Sequence, residues 1–223
     1  MARFRTEKDQ FILDRCRGKK VLDMGCVNHT LEATLLDDWR HAQIKKVAKE
    51  LVGLDYEAEV VRELNQRGWN VVAADAQDFD LTKQHPGGFD VIVASEIIEH
   101  LVNPGSFLRC VRKHLAPGGE LVLTTPQAYG IAFFFEVLVW GEEHMNDDHT
   151  MTFSRKNLDW LIRKCGLEVK EFHFLNPDST RLHKSLGARA AAKLLYIVQY
   201  LFAWIRPGYS KEMIFVVGRG GDR

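Results

Sequence analysis

Residues 95–100 read Ser-Glu-Ile-Ile-Glu-His, and Glu96, Glu99 and His100 are spaced so that they can act together. If a helix starts near Glu96, that residue lies one turn from Glu99 and His100, and all three share a face. Two carboxylates and an imidazole on one face supply donors for a hard divalent cation, Mg2+ or a similar ion. Three readings are open on these residues alone. They are a metal site, a metal-free site with His100 as general base beside Glu96 and Glu99, and a purely structural role.

The elements that must position these groups are legible around them. FDVIVAS (89–95) precedes Glu96 as a continuous, β-branched run, the pattern of a strand buried on both faces. VLDMG (21–25) is another such strand, running into a tight turn. ELVGLD (50–55) ends a second run on Asp55, NVVAAD (70–75) a third on Asp75, and LVLTTP (121–126) follows an APGGE turn. Between them EAEVVRELNQRG has helical spacing with Gly68 as its stop. Asn103 and Pro104 cap a helix whose Phe107, Leu108, Val111 and Leu115 share one side.

This alternation predicts right-handed crossovers and a Rossmann-like, doubly wound α/β sheet, mostly parallel. After it come a helix from Ser154 to Gly166, a strand LEVKEFHF, a helical segment from about 186 to 205, and a last strand EMIFVVG. The last strand is expected antiparallel, completing the same sheet, with 186–206 as a helical insertion in a single domain of 1–223.

In such a sheet ligands bind outside the carboxyl ends of the strands. The residues there are Asp23, Gly25, Asp55, Asp75, Ser95, Glu96 and Thr125. An acid after the second strand is the usual clamp for the hydroxyls of an adenosine ribose, and one after the third can accept from an adenine amino group. The acidic rim and the absence of G-x-G-x-x-G argue against a dinucleotide.

Composition narrows the field further. With 223 residues, 46% hydrophobic, 27% charged and no net charge, the chain reads as globular, and nothing in the bulk argues for nucleic acid. Charge is uneven locally. Arg181, Lys184, Arg189, Lys193, Arg206 and Lys211 follow one another with no Asp or Glu between. The N-terminus has no apolar signal region, no stretch reaches the roughly 18 uncharged apolar residues of a membrane span, and the four cysteines are scattered. Reduced thiols in a cytoplasmic protein are the expectation.

Taken together, VLDMGC, LVGLDYEAEVV, VVAADAQDF, FDVIVASEIIEHL and HLAPGGELVLTTP resemble, in order, the motifs of the class I S-adenosylmethionine-dependent methyltransferases, over residues 19–175 or so. The resemblance implies S-adenosylmethionine as cofactor. It places Asp23, Gly25 and Cys26 in the first loop, Asp55 and Tyr56 at the ribose, Asp75 and Ala76 beside adenine, and Ser95 at the end of the fourth strand. The E-x-x-E-H stretch is similar to that of ubiquinone-pathway O-methyltransferases and of small-RNA 2′-O-methyltransferases, where it chelates magnesium-like ions. The RNA family adds a histidine from a D-H-x-x-x-x-[ST]-R segment, which DHTMTFSR resembles. The implied ligands are then Glu96, Glu99, His100 and His149, with His144 competing for the last place.

Two departures and one surplus complete the reading. The family's D-x-G-x-G-x-G loop keeps only Asp23 and Gly25, with Val27 and His29 at later glycine places and Asn28 able to carry the turn. The apolar QAYGIAFFFEVLVWGEEHM is expected to line the substrate pocket. O-methylation of a small-molecule or glycan hydroxyl is the leading function. N-methylation, RNA 2′-O-methylation and a non-catalytic cofactor-binding regulator are the alternatives. The segment near 186–205 carries a narrow polar stripe (Arg189, Lys193, Tyr196, Tyr200) in an otherwise apolar surface. Its cover is expected to be the pocket mouth, a second copy in a homodimer, or peripherally a membrane.

Overall fold

The structure, a computed structural model, describes residues 7–27, 30–36, 38–142, 146–175 and 190–221. The strands are β1 (Lys20–Met24), β2 (Glu50–Asp55), β3 (Val71–Ala73), β4 (Phe89–Ser95), β5 (Leu115–Pro126), β6 (Leu167–Leu175) and β7 (Glu212–Arg219). They form one sheet in the order β3-β2-β1-β4-β5-β7-β6. β1 to β5 pair in parallel, and β7 runs antiparallel between β5 and β6. The doubly wound sheet with an antiparallel last strand is therefore what forms.

The continuous apolar runs are explained by burial on both faces. Val21, Val91, Val93, Val122 and Ile214 point to one side, against Ile12, Leu13 and Cys16 of α1 (Glu7–Cys16) and Ile44 of α2 (Arg40–Lys45). Leu22, Met24, Ile92, Ala94, Leu121, Leu123 and Phe215 point to the other. There they meet Phe107, Leu108 and Val111 of α4 (Pro104–His114) and Leu158 and Ile162 of α6 (Arg155–Lys164). Between β2 and β3 lies α3 (Ala58–Gln66), its Val61 and Leu64 packed with Trp39 and Val27. The caps read from sequence are present. Asn103 accepts from the Ser106 amide, and Ser154 and Asn157 form a reciprocal capping box.

Some elements differ from expectation. β3 stops at Ala73, and Asp75 lies beyond it in a turn that bridges to Asp78. Leu115 opens β5 instead of closing α4, its backbone already extended and paired with Phe89 of β4. α1 and α5 (Ile131–Trp140) were not expected as helices. The first has weak amphipathic spacing, and the second is so uniformly apolar that no face announces itself. The last helix, α7 (Ala190–Ile205), matches the expected segment from Ala190 onward, and residues 186–189 lie outside the described chain.

Candidate active site

The carboxyl ends of β1, β2 and β4 open on a cavity of 1180 Å3. Asp23, Gly25, Cys26, Asp55, Tyr56, Asp75, Ala76, Ser95, Glu96, Glu99, His100 and His149 all line it, so the topology brings these twelve residues to one space.

The first loop works differently from the glycine-rich pattern. Gly25 has φ +66, and a Cβ there would sit 2.8 Å from Ile97 Cδ1, so the turn requires glycine at this one place. Val27 is fully buried, and its amide donates to Asp55 Oδ2 at 2.9 Å. Among the described residues only Glu96 is a non-glycine with positive φ, so Val27 keeps an ordinary backbone and the second glycine is dispensable. Asn28 and His29 lie outside the described residues. Trp39 supports the loop from behind, its indole N–H donating to the Cys26 carbonyl at 2.6 Å.

The acids divide by environment. Asp23 is buried against His41, with Oδ2 2.8 Å from Nδ1, so its charge faces an imidazole that nothing in the sequence flagged. Asp55 is 5% exposed and also accepts from the Glu57 amide at 3.2 Å; burial pushes its pKa up although those amides oppose the shift. Asp75 is exposed and accepts from the Gln77 amide at 2.8 Å. Tyr56 is 72% exposed at the rim. Ser95 Oγ lies 2.8 Å from Thr124 Oγ1 beneath the cavity floor. Cys26 is buried, and burial first, then Asp23 and Asp55, pushes its thiol far up, which makes it a packing group.

The E-x-x-E-H segment is not helical as expected. Glu96 has φ +58, and only a short 3₁₀ turn, Ile98–His100, follows. The shared face is therefore broken. Glu96 is held by Lys8 of α1, whose Nζ also lies 2.9 Å from Glu212 Oε2 at the start of β7. Sequence reasoning had no signal for Lys8, which is separated from its two partners by 88 and 204 positions. Lys8→Met should remove the tie between α1, β4 and β7. We expect a loss of about 1–2 kcal/mol in chemical denaturation, kept modest because Glu96 is 40% exposed. An unchanged midpoint would show the tie to be incidental.

Glu99, His100 and His149 do converge, offering ligand atoms all within 4.8 Å of one another. Glu99 is 1% exposed. Thr125 donates to its Oε2 at 3.0 Å, while its Oε1 is buried with no hydrogen-bond partner. Burial pushes its pKa up to about 7, with Glu96 adding to the rise and Thr125 opposing it. His149 Nδ1 is likewise buried and unpartnered, and burial, then His100, lowers that imidazole's pKa. The two rings meet edge to face, 4.7 Å between centroids.

The loop carrying His149 is fastened to this point. The Thr150 amide and hydroxyl donate to the Glu99 carbonyl at 2.8 and 3.0 Å, and the hydroxyl reaches the Leu101 carbonyl at 2.8 Å. Gln127 and Phe153 bridge the same loop to the end of β5. His144, the competing histidine, lies outside the described residues. Among the described side chains of 127–142 none lines the cavity, so what is described of the apolar segment does not form its wall.

Residues 2–171 match the family described as "Methyltransferase domain". The chain belongs to that family. Ubiquinone biosynthesis O-methyltransferase of Pseudomonas aeruginosa is 29% identical over 182 residues, 76% of this chain and 73% of the relative. Its counterpart from Aromatoleum aromaticum is 26% identical over 178 residues, again 76% and 73%. The fold resembles an S-adenosylmethionine-dependent methyltransferase from Clostridium acetobutylicum, with TM-score 0.61 and 9% identity over 98% of this chain and 93% of the other. This methyltransferase is S-adenosylmethionine-dependent, and the carboxyl-edge cavity with Gly25 and Asp55 fits that cofactor.

Proposed function

We propose that this methyltransferase methylates a hydroxyl group of a small-molecule acceptor, with a divalent cation held by Glu99, His100 and His149. One observation carries the reading. Glu99 Oε1 and His149 Nδ1 are buried without partners, and their two residues, with His100, form a cluster whose ligand atoms lie within 4.8 Å of one another. Buried polar atoms are normally satisfied, so two orphans on residues of one cluster support a cation there. The O-methyltransferase names of the relatives support the choice of oxygen as acceptor.

The cofactor supplies a methyl on positively charged sulfur, already activated toward a nucleophile. A cation at the cluster would lower the pKa of a coordinated hydroxyl. The chain's own work is placement. Asp55 and Gly25 hold the cofactor end, Thr125 fixes the Glu99 carboxylate, and Thr150 fixes the His149 loop against Glu99. Aligning the hydroxyl with the methyl then supplies much of the acceleration. The test is transfer of labelled methyl from S-adenosylmethionine to a set of catechol and phenol acceptors. An O-methylated product is expected. Label appearing on amine acceptors while every hydroxyl acceptor stays unlabelled would overturn the reading.

A further inference from the structure

His41 is a buried imidazole for which methyl transfer, as derived above, has no use. It is 1% exposed, yet it lines the cavity together with Asp23, itself 3% exposed. Leu22 and Met24 face the α4 side of the sheet, so Asp23 between them leaves on the side of α1 and α2, where His41 stands. A carboxylate accepts, so the imidazole N–H at Nδ1 donates to Asp23 Oδ2, 2.8 Å away.

The chain builds a seat for this one ring. Gly53 is the partner of Asp23 in the ladder between β1 and β2, and a Cβ there would come within 3.0 Å of His41 Cε1 and 2.8 Å of Cys26 Sγ. Trp39 and Trp69 flank the imidazole at 5.2 and 5.5 Å between centroids, and meet each other edge to face at 4.6 Å. Lys45 holds Trp69 in turn, its Nζ 4.2 Å from the ring centroid. Arg40, next in the chain, pairs with Asp9 of α1 at 3.2 Å and fastens the start of α2. A ring packed in this way keeps one orientation, and its hydrogen bond fixes the carboxylate that accepts it. Packing alone would be served by any ring of this size. The bond from Nδ1 to Oδ2 is what calls for histidine.

We propose that His41 is a positioning residue for the amino-acid end of the cofactor: it fixes Asp23 so that the second carboxylate oxygen receives the α-ammonium of S-adenosylmethionine. The order of the sheet supports this placement. Strands β3, β2, β1 and β4 lie side by side, with Asp75 beyond β3, Asp55 ending β2, Asp23 on β1 and Glu99 beyond β4. A cofactor with adenine at Asp75 and ribose at Asp55 brings its methionine half to β1 and its methyl toward Glu99. His41 occupies Oδ2, which leaves Oδ1 for the ammonium. A carboxylate already held in place loses no rotamer freedom when the ligand arrives, and its bond to a cation is of the strong, charge-assisted kind. The proposal rests on the cofactor, and on neither the acceptor nor the cation at Glu99.

The experiment compares two ligands by calorimetry: S-adenosylhomocysteine, and the same compound with hydrogen in place of its α-amino group. The wild type should prefer the first. His41→Phe keeps a ring in the seat and removes the donor. It should bind S-adenosylhomocysteine at least about tenfold less well, while the deaminated compound changes by less than about twofold. His41→Asn puts an amide N–H near the place of Nδ1 and should recover most of the preference. In an Asp23→Asn background, which also carries the comparison if the Phe variant does not fold, changing His41 to Asn should cost no further preference. Equal weakening of both ligands by His41→Phe would make the ring a support for the loop alone and overturn the proposal. So would a wild type without preference, an Asn variant no better than Phe, or losses at positions 23 and 41 that simply add.

Discussion

Asp55→Ala should weaken binding of S-adenosylhomocysteine by about 1.5–3 kcal/mol, or roughly ten- to more than a hundredfold, in calorimetry. Asp55 ends β2, the place from which a carboxylate clamps ribose hydroxyls, and it lines the cavity at 5% exposure. The substitution removes two things. It deletes the ionic acceptor for the ribose, and it leaves the buried Val27 amide without the partner now 2.9 Å away. Asp55→Asn separates these effects, because its amide oxygen still accepts from Val27 while the charge is gone. Asn should therefore lie between wild type and Ala. Wild-type affinity in the Ala variant would remove Asp55 from the cofactor site.

Glu99→Gln should cut kcat by about a hundredfold or more while leaving affinity for S-adenosylhomocysteine within a small factor. The substitution keeps shape and keeps an acceptor for Thr125, but removes the charge that a cation would need. EDTA should abolish wild-type activity, and added Mg2+ or Mn2+ should restore it. The variant should also be folded. The Glu99 carboxyl has its pKa raised from 4.5 to about 7 by burial, so stability is lost as pH rises from about 4.5 through about 7, where the unfolded chain ionises first. Gln does not titrate, so without metal the variant should melt no lower than wild type at pH 8. Activity unchanged by EDTA would leave His100 as a metal-free base.

What the sequence revealed and what it hid follow from the range of the forces involved. Strands β1, β2 and β4 were legible because burial on both faces demands an unbroken apolar run, as in FDVIVAS. Asp55 was legible because its role depends only on ending β2. The α4 and α6 caps are local hydrogen bonds, readable over three residues. The 3₁₀ turn at Ile98–His100 was not, because the positive φ of Glu96 accompanies a contact with Lys8 from far along the chain. His41 escaped for the same reason, since its partner Asp23 lies across the first loop. Asp75 was placed at a strand end because Ala73 and Ala74 continue the apolar pattern, yet the ladder with β2 closes at Ala73. The uniform apolarity of IAFFFEVLVW gave no period from which to tell a pocket wall from an outward-facing helix. Asp23, Gly25 and Val27 answer the loop question. One glycine makes the turn, and a buried valine amide clasped by Asp55 replaces the next.

The most direct measurement is a crystal of the protein with S-adenosylhomocysteine and Mn2+, with data collected at the manganese edge. We predict one anomalous peak within coordination distance of Glu99, His100 and His149, with the cofactor's ribose hydroxyls on Asp55. Cofactor bound at Asp55 with no manganese peak at the cluster would contradict the metal assignment. Cofactor density away from Asp55 would contradict the site itself.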